Sequence, residues 1–252
     1  MALARALRRL DEHTGDPDSR VYAMETANGK RRYRIMSAEL AWQTTCTQDP
    51  CHLYEVLSGP CNMYLDIEWV VEQPPSGDQE RARVDQIVQH VCAALCSAYR
   101  VHNPGVVMAS ASGWKTSTSY KCSWHVHISC SEICWLNSTA VGQFVREACS
   151  DMPEVDKVPY SGTGQNWRCV GSSKYSEPER MFKPVNRASF MGCTVQQAIA
   201  DRKLVYPDVP VPDTVEAPLC PAVAALAESL GAGGVPRAVS SDRVIVPFVE
   251  RQ

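Results

Sequence analysis

The stretch Asn62-Met63-Tyr64-Leu65-Asp66-Ile67-Glu68-Trp69-Val70 decides how the rest of the chain is read. Met63, Leu65, Ile67 and Trp69 alternate with Tyr64, Asp66 and Glu68, and a period of two marks a β-strand with one buried face. On such a strand the two carboxylates share the other face, roughly 6.5–7 Å apart along the backbone. Acids held that close repel each other unless a cation lies between them, and hard divalent ions prefer carboxylate oxygen. The plainer alternative is a solvated polar face on an edge strand. The flanking sequence weighs against it.

Upstream, the strand-like runs 20–26 and 31–37 flank Ala27-Asn28-Gly29-Lys30, and Asn-Gly between two such runs predicts a hairpin. Its second arm carries Arg31, Arg32 and Arg34, which suits phosphate binding or, equally, a charged edge that resists aggregation. A short helix over 37–45 is predicted, capped by Ser37, before the strand Tyr54-Glu55-Val56-Leu57 and a Gly59-Pro60 turn. Downstream, 73–79 reads as a polar loop. Val84, Ile87, Val88, Val91, Cys92, Leu95, Cys96 and Tyr99 then form the apolar stripe of a helix. Asn103-Pro104-Gly105 stops it, 106–111 reads as a buried strand and 112–120 as a polar loop.

In the strand 123–129, Trp124, Val126 and Ile128 alternate with Ser123, His125, His127 and Ser129, and Lys121 precedes it on the polar side. A second amphipathic helix is expected over 138–149, capped by Asn137. Val155-Asp156, a glycine-containing loop and the strand-like run 166–170 follow. Arg168, Lys174, Arg180, Lys183 and Arg187 make a local basic patch, with 180 onward open to reading as a solvated loop.

The chain of 252 residues carries a net charge of -3, so a nucleic-acid partner would have to be held by a local patch. No run of sequence has the length and apolarity of a membrane span, and no membrane partner is expected. The twelve cysteines contain no Cys-x-x-Cys pair and are expected to be reduced intracellular thiols. Cys122, His125, His127 and Cys130 mimic a zinc set, but on a strand the cysteines and histidines lie on opposite faces, so no zinc is expected. The first ten residues, rich in Arg, suit either a mitochondrial targeting helix or a surface helix; nucleus and mitochondrion both remain open.

Asp66-Ile67-Glu68, Ser123-Trp124-His125 and Val155-Asp156 stand in the order of the Asp-x-Glu, Ser-x-His and hydrophobic-Asp motifs of the archaeo-eukaryotic primase superfamily, and the chain resembles it. His52-Leu53-Tyr54-Glu55-Val56, Cys61 to Trp69, Lys121 to His125 and Asn166 to Lys174 are similar to the eukaryotic primase-polymerases, over about 21–184. The resemblance implies an α+β catalytic core with an RRM-like sheet and flanking helices. It implies template-directed nucleotidyl transfer: primer extension, with damage-tolerant synthesis or repriming as roles. Asp66, Glu68 and Asp156 would be the catalytic, metal-binding carboxylates for a pair of Mg2+ or Mn2+ ions. Arg31, Lys121, Ser123, His125, Arg168 and Lys174 would bind the nucleotide.

The partners implied are DNA template-primer, single-stranded DNA, dNTP or NTP substrates, and replication or single-strand-binding proteins. The expected organisation is an N-terminal extension (1–19), the catalytic domain (20–205) and a Pro/Ala-rich linker or tail (206–252). The chain departs from the family in carrying Trp124 where relatives have a basic residue. Cys193 and Cys220 also do not match the family's Cys/His zinc module, so the resemblance implies extension more directly than priming from scratch. The rival readings are a metal-dependent nuclease and a catalytically weak single-strand-binding domain.

Overall fold

The computed structural model describes residues 3–12, 19–160, 162, 164–185, 195, 203–205 and 245–246. Most of the segment 206–252, and Arg187, Cys193 and Cys220, lie outside the described residues. The chain is a mixed α+β protein with four helices among those residues.

In chain order the elements are α1 (Leu3–Glu12), β1 (Ser19–Glu25), β2 (Arg31–Ser37), α2 (Ala38–Thr47), β3 (Leu53–Leu57), β4 (Met63–Val71), α3 (Gly77–Tyr99), β5 (Gly105–Ser110), β6 (Gly113–Thr116), β7 (Ser119–Ser129), β8 (Ile133–Trp135), α4 (Ser138–Ala148), β9 (Gln165–Arg168), β10 (Lys183–Pro184), β11 (Lys203–Val205) and β12 (Ile245–Val246). Two antiparallel sheets dominate. One has the order β2-β1-β3-β9; the other has the order β10-β5-β7-β4, with β6 also on β7. A small third sheet is β12-β11-β8.

The β1–β2 hairpin forms as its Asn-Gly signal predicts, with Ser19 opposite Ser37 and Glu25 opposite Arg31. Its turn is a single 3-10 turn that ends on Gly29 at φ +67°, a left-handed conformation suited to glycine. Ser37 caps α2 by accepting from the Leu40 amide at 3.2 Å, and Asn137 caps α4 by accepting from the Ala140 amide at 3.0 Å. α3 starts earlier than the loop expected over 73–79 allows. Ser76 and Gln79 form a reciprocal capping box, which supplies the orphan amides and lets the helix begin at Gly77. The expected loop over 112–120 is likewise corrected: β6 pairs with the start of β7, so a hairpin stands there.

The core lies between the second sheet and the helices. Leu65, Ile67, Val126 and Ile128 on that sheet pack with Val84, Ile87, Val91 and Leu95 of α3 and with Val141 and Val145 of α4. Burying each such side chain contributes roughly 1.5–3 kcal/mol. Leu3, Ala6, Leu7 and Leu10 put the apolar stripe of α1 on β1 and β2, leaving Arg5, Arg8 and Arg9 outside. No helix among the described residues is long and apolar enough to cross a membrane.

Candidate active site

Antiparallel pairing sets the site. Asp66 of β4 stands opposite His125 of β7, and Glu68 opposite Ser123. Paired residues share a face, so the acids, Ser123, His125 and His127 lie together, away from α3. Trp124 projects to the other face, where it is 5 % exposed and donates its indole N–H to Glu80. It therefore does not stand where a phosphate-binding side chain of this site would.

The acidic strand is an edge strand, but its edge is covered. The Glu68 amide donates to the Glu154 carbonyl at 2.7 Å, and the Asp156 amide to the Asp66 carbonyl at 2.8 Å. Ile67 bridges to Val155. These bonds bring Asp156 beside the first two acids. The Asp156 side chain in turn accepts from the Val158 amide at 2.9 Å, which fixes the following turn.

The polar face does not meet water as a solvated edge would. Trp167 on β9 stacks on His125 at 3.8 Å between centroids and donates its indole N–H to His127 at 3.1 Å. Phe182 stacks on His125 at 3.7 Å, so the imidazole is closely packed by two rings. Tyr64 and Tyr160 complete an aromatic floor, the Tyr160 hydroxyl donating to the Tyr64 carbonyl at 3.0 Å.

Cations enter from the first sheet and the loop behind β9. Arg168 lies opposite Tyr54 in the β3–β9 ladder, with its guanidinium 4.6 Å above the Phe182 ring. Its Nη1 donates to the Arg180 carbonyl at 3.5 Å, its Nε is buried without a hydrogen-bond partner, and Arg168 makes no ion pair among the described residues. Lys174 follows the tight turn at Gly171, where φ is +80° and a Cβ would meet Thr45 at 3.0 Å. That loop is pinned by the Ser173 amide donating to the Cys51 carbonyl at 2.9 Å and by the Gly171 amide donating to the Phe182 carbonyl at 2.8 Å. Lys121 forms an ion pair with Glu68.

The electrostatics follow from burial. Desolvation, with help from Glu68 and then Asp156, raises the Asp66 carboxyl to about 7 against the pull of Arg168 and Lys121. His125 is pushed well below its ordinary value by burial and next by Arg168, so its ring is neutral at physiological pH. Burial lowers Arg168, and Lys174 is lowered by burial and then by Arg168.

Of the residues singled out in the sequence, the structure brings together Asp66, Glu68, Asp156, Lys121, Ser123, His125, Arg168 and Lys174. Arg31 stands further out: exposed, opposite Glu25, and 5.2 Å above the Tyr54 ring. The reading of 180 onward as a solvated loop is corrected at Arg180. This residue is 5 % exposed, donates to the Ala111 carbonyl at 3.2 Å and pairs with Glu177 at 2.6 Å. Sequence reasoning missed Trp167, Phe182 and Tyr160 as walls of the site. Trp167 was legible from its alternation with Arg168; Phe182 sits in a loop with no periodicity to mark it.

Carboxylates of Asp66, Glu68 and Asp156 suit a hard divalent cation, and their mutual repulsion at Asp66 is what such an ion would relieve. Among the described residues, no three His, Cys, Asp or Glu side chains are already gathered into a metal cage. Glu68 is turned to Lys121 instead. All ten described cysteines are free thiols. Compared with models of known protein families and with curated proteins, the chain matches none.

Proposed function

We propose that this chain carries out template-directed nucleotidyl transfer, extending a DNA primer from nucleoside triphosphates, on a core of the archaeo-eukaryotic primase type. The observation that carries the reading is Arg168: a partly buried guanidinium whose Nε is buried and unbonded and which makes no ion pair among the described residues, beside a carboxylate cluster. Taking a cation partly out of water without an ion pair is costly, and a polyanionic ligand offsets that cost. Triphosphate fits, because Arg168 offers a planar fork and Lys174 and Lys121 offer point charges.

Asp66, Glu68 and Asp156 would hold Mg2+ or Mn2+. When bound, such ions polarise phosphoryl oxygen and stabilise charge on the attacking and leaving oxygens. Glu68 would exchange Lys121 for metal, which frees the ammonium for phosphate. His125, neutral and held between rings, offers hydrogen bonding rather than charge. Trp167 and Phe182 exclude water from the inner wall, which strengthens each charge interaction there. The chain itself needs no covalent nucleophile, since positioning and electrostatics suffice for phosphoryl transfer.

The test is equilibrium binding of a dNTP with magnesium to wild type and Arg168→Ala. Binding by wild type that falls about a hundredfold in the variant supports the reading. Equal binding by both, or cleavage of single strands without any nucleotide affinity, contradicts it and favours the nuclease.

A further inference from the structure

Glu80 is a buried acid outside the site. It lies in the first turn of α3 and is 6 % exposed, with no cation paired to it among the described residues. One of its oxygens, Oε1, accepts from the Trp124 indole N–H and from the Ser112 hydroxyl, each at 2.5 Å. The Ser112 oxygen itself accepts from the Ser123 amide at 3.0 Å. The Cys122 thiol is pushed up to about 12, first by burial and then by Glu80. A single carboxylate thus holds Trp124 directly and Ser123 through Ser112.

The place of that grip matters. β5 pairs with β7 as far as Ser110 opposite Trp124, and β6 resumes at Gly113 opposite Lys121. Between them the ladder keeps one bond, the Ala111 amide donating to the Ser123 carbonyl at 2.9 Å. The Ser123 amide takes the Ser112 hydroxyl, and Glu80 orients that hydroxyl. Lys121 stands two residues before the held pair and His125 immediately after it.

We propose that Glu80 is a positioning residue for the nucleotide site: through Ser112 it holds the backbone of Ser123, and so sets where Lys121 and Ser123 meet the phosphates. This rests on the nucleotidyl-transfer reading for its functional half. The helix N-terminus favours an acid at this position, and the neutral donors satisfy it. A buried carboxylate of this kind is costly where an apolar side chain would fill the space. Its presence is explained by the donors it aligns.

The experiment compares wild type with Ser112→Ala, Glu80→Leu and the double variant, all as the full chain. Hydrogen exchange over 119–126 is measured first, alongside thermal unfolding. Steady-state primer extension is then measured with varied dNTP. Ser112→Ala is the small change that leaves the core filled. It should speed exchange over 119–126 with the rest of the second sheet unchanged. It should raise KM for dNTP about tenfold with kcat little altered, the loss of one charge-assisted hydrogen bond. Glu80→Leu should do the same, and the double variant should be no worse than the worse single one, as a shared route requires. Penalties that multiply, or normal exchange and KM in folded Ser112→Ala, overturn the proposal. If wild type neither binds nor incorporates nucleotide, the functional reading fails, and altered exchange in the same variants would leave only the backbone role of Glu80 standing.

Discussion

Asp66 and His125 stand directly opposite each other in the β4–β7 ladder, yet each is driven toward its neutral form. Burial raises the carboxyl and lowers the imidazole, because both charged forms lose water in the same wall. The charge that remains there is that of Arg168, Lys174 and Lys121, set against the carboxyl groups of Glu68 and Asp156. A site in this state is prepared for a ligand that brings positive charge to the acids and negative charge to the bases.

The pH dependence of stability follows from Asp66. Its carboxyl is raised from 3.8 unfolded to about 7 folded. Between those values the folded chain keeps a proton that the unfolded chain has lost, so this residue lowers stability as pH rises toward about 7 and adds nothing further above it. His125, lowered on folding, acts in the opposite sense below its ordinary value. The two are separated by Asp66→Asn. Its Tm relative to wild type should climb from about pH 4 to pH 7 and then level off, by thermal unfolding across that series. A constant difference contradicts the assignment.

Arg168→Met separates stability from binding. The fold gains or loses little, within about 1–2 kcal/mol, because a partly buried guanidinium without an ion pair, held by one long bond to the Arg180 carbonyl, is replaced by an apolar stem. Nucleotide affinity should fall at least tenfold in the same sample. Denaturant unfolding and dNTP titration check the two halves.

Metal should bind the acids and stabilise the fold by mass action. Millimolar Mn2+ should raise the Tm of wild type at pH 8 and leave that of Asp66→Asn/Glu68→Gln nearly unmoved. Equal shifts would place the ion elsewhere.

Trp167 ties the two sheets together through His125, His127 and Tyr64. Trp167→Ala should cost about 3–5 kcal/mol, the range for a buried aromatic cut to alanine. Trp167→Phe should lose less, since the ring is retained and the bond to His127 is lost. Denaturant midpoints read both.

Gly142 lets α4 approach the turn that follows Asp156: a Cβ there would lie 2.2 Å from the Tyr160 Cβ. Helix propensity alone favours alanine, yet Gly142→Ala should destabilise by about 1–3 kcal/mol through overpacking. A rise in Tm would contradict this contact.

Much of this arrangement was legible in the chain. The alternation around Asp66 and Glu68, and that of Ser123, His125 and His127, identified two strands with one polar face each; that the two faces are one came from the pairing of β4 with β7. The caps at Ser37 and Asn137 were local chemistry and equally plain. What covers the polar face was only partly legible: the strand alternation marks Trp167 but not which face it meets, and Phe182 arrives from a loop with no period. Arg180 looked solvated because a charged loop residue usually is, and only its bonds to Ala111 and Glu177 put it inside. Glu80 was hidden for a similar reason, lying in a helical turn where acids commonly face water.

The most direct test of the central claim is extension of a labelled DNA primer on a longer template with dNTPs and magnesium or manganese. Wild type would run beside Asp66→Ala/Glu68→Ala and beside a primer-free lane. Wild type should give template-matched extension and the double variant none. A folded wild type that binds single strands but extends nothing in either metal, or extension that survives loss of both acids, would contradict it.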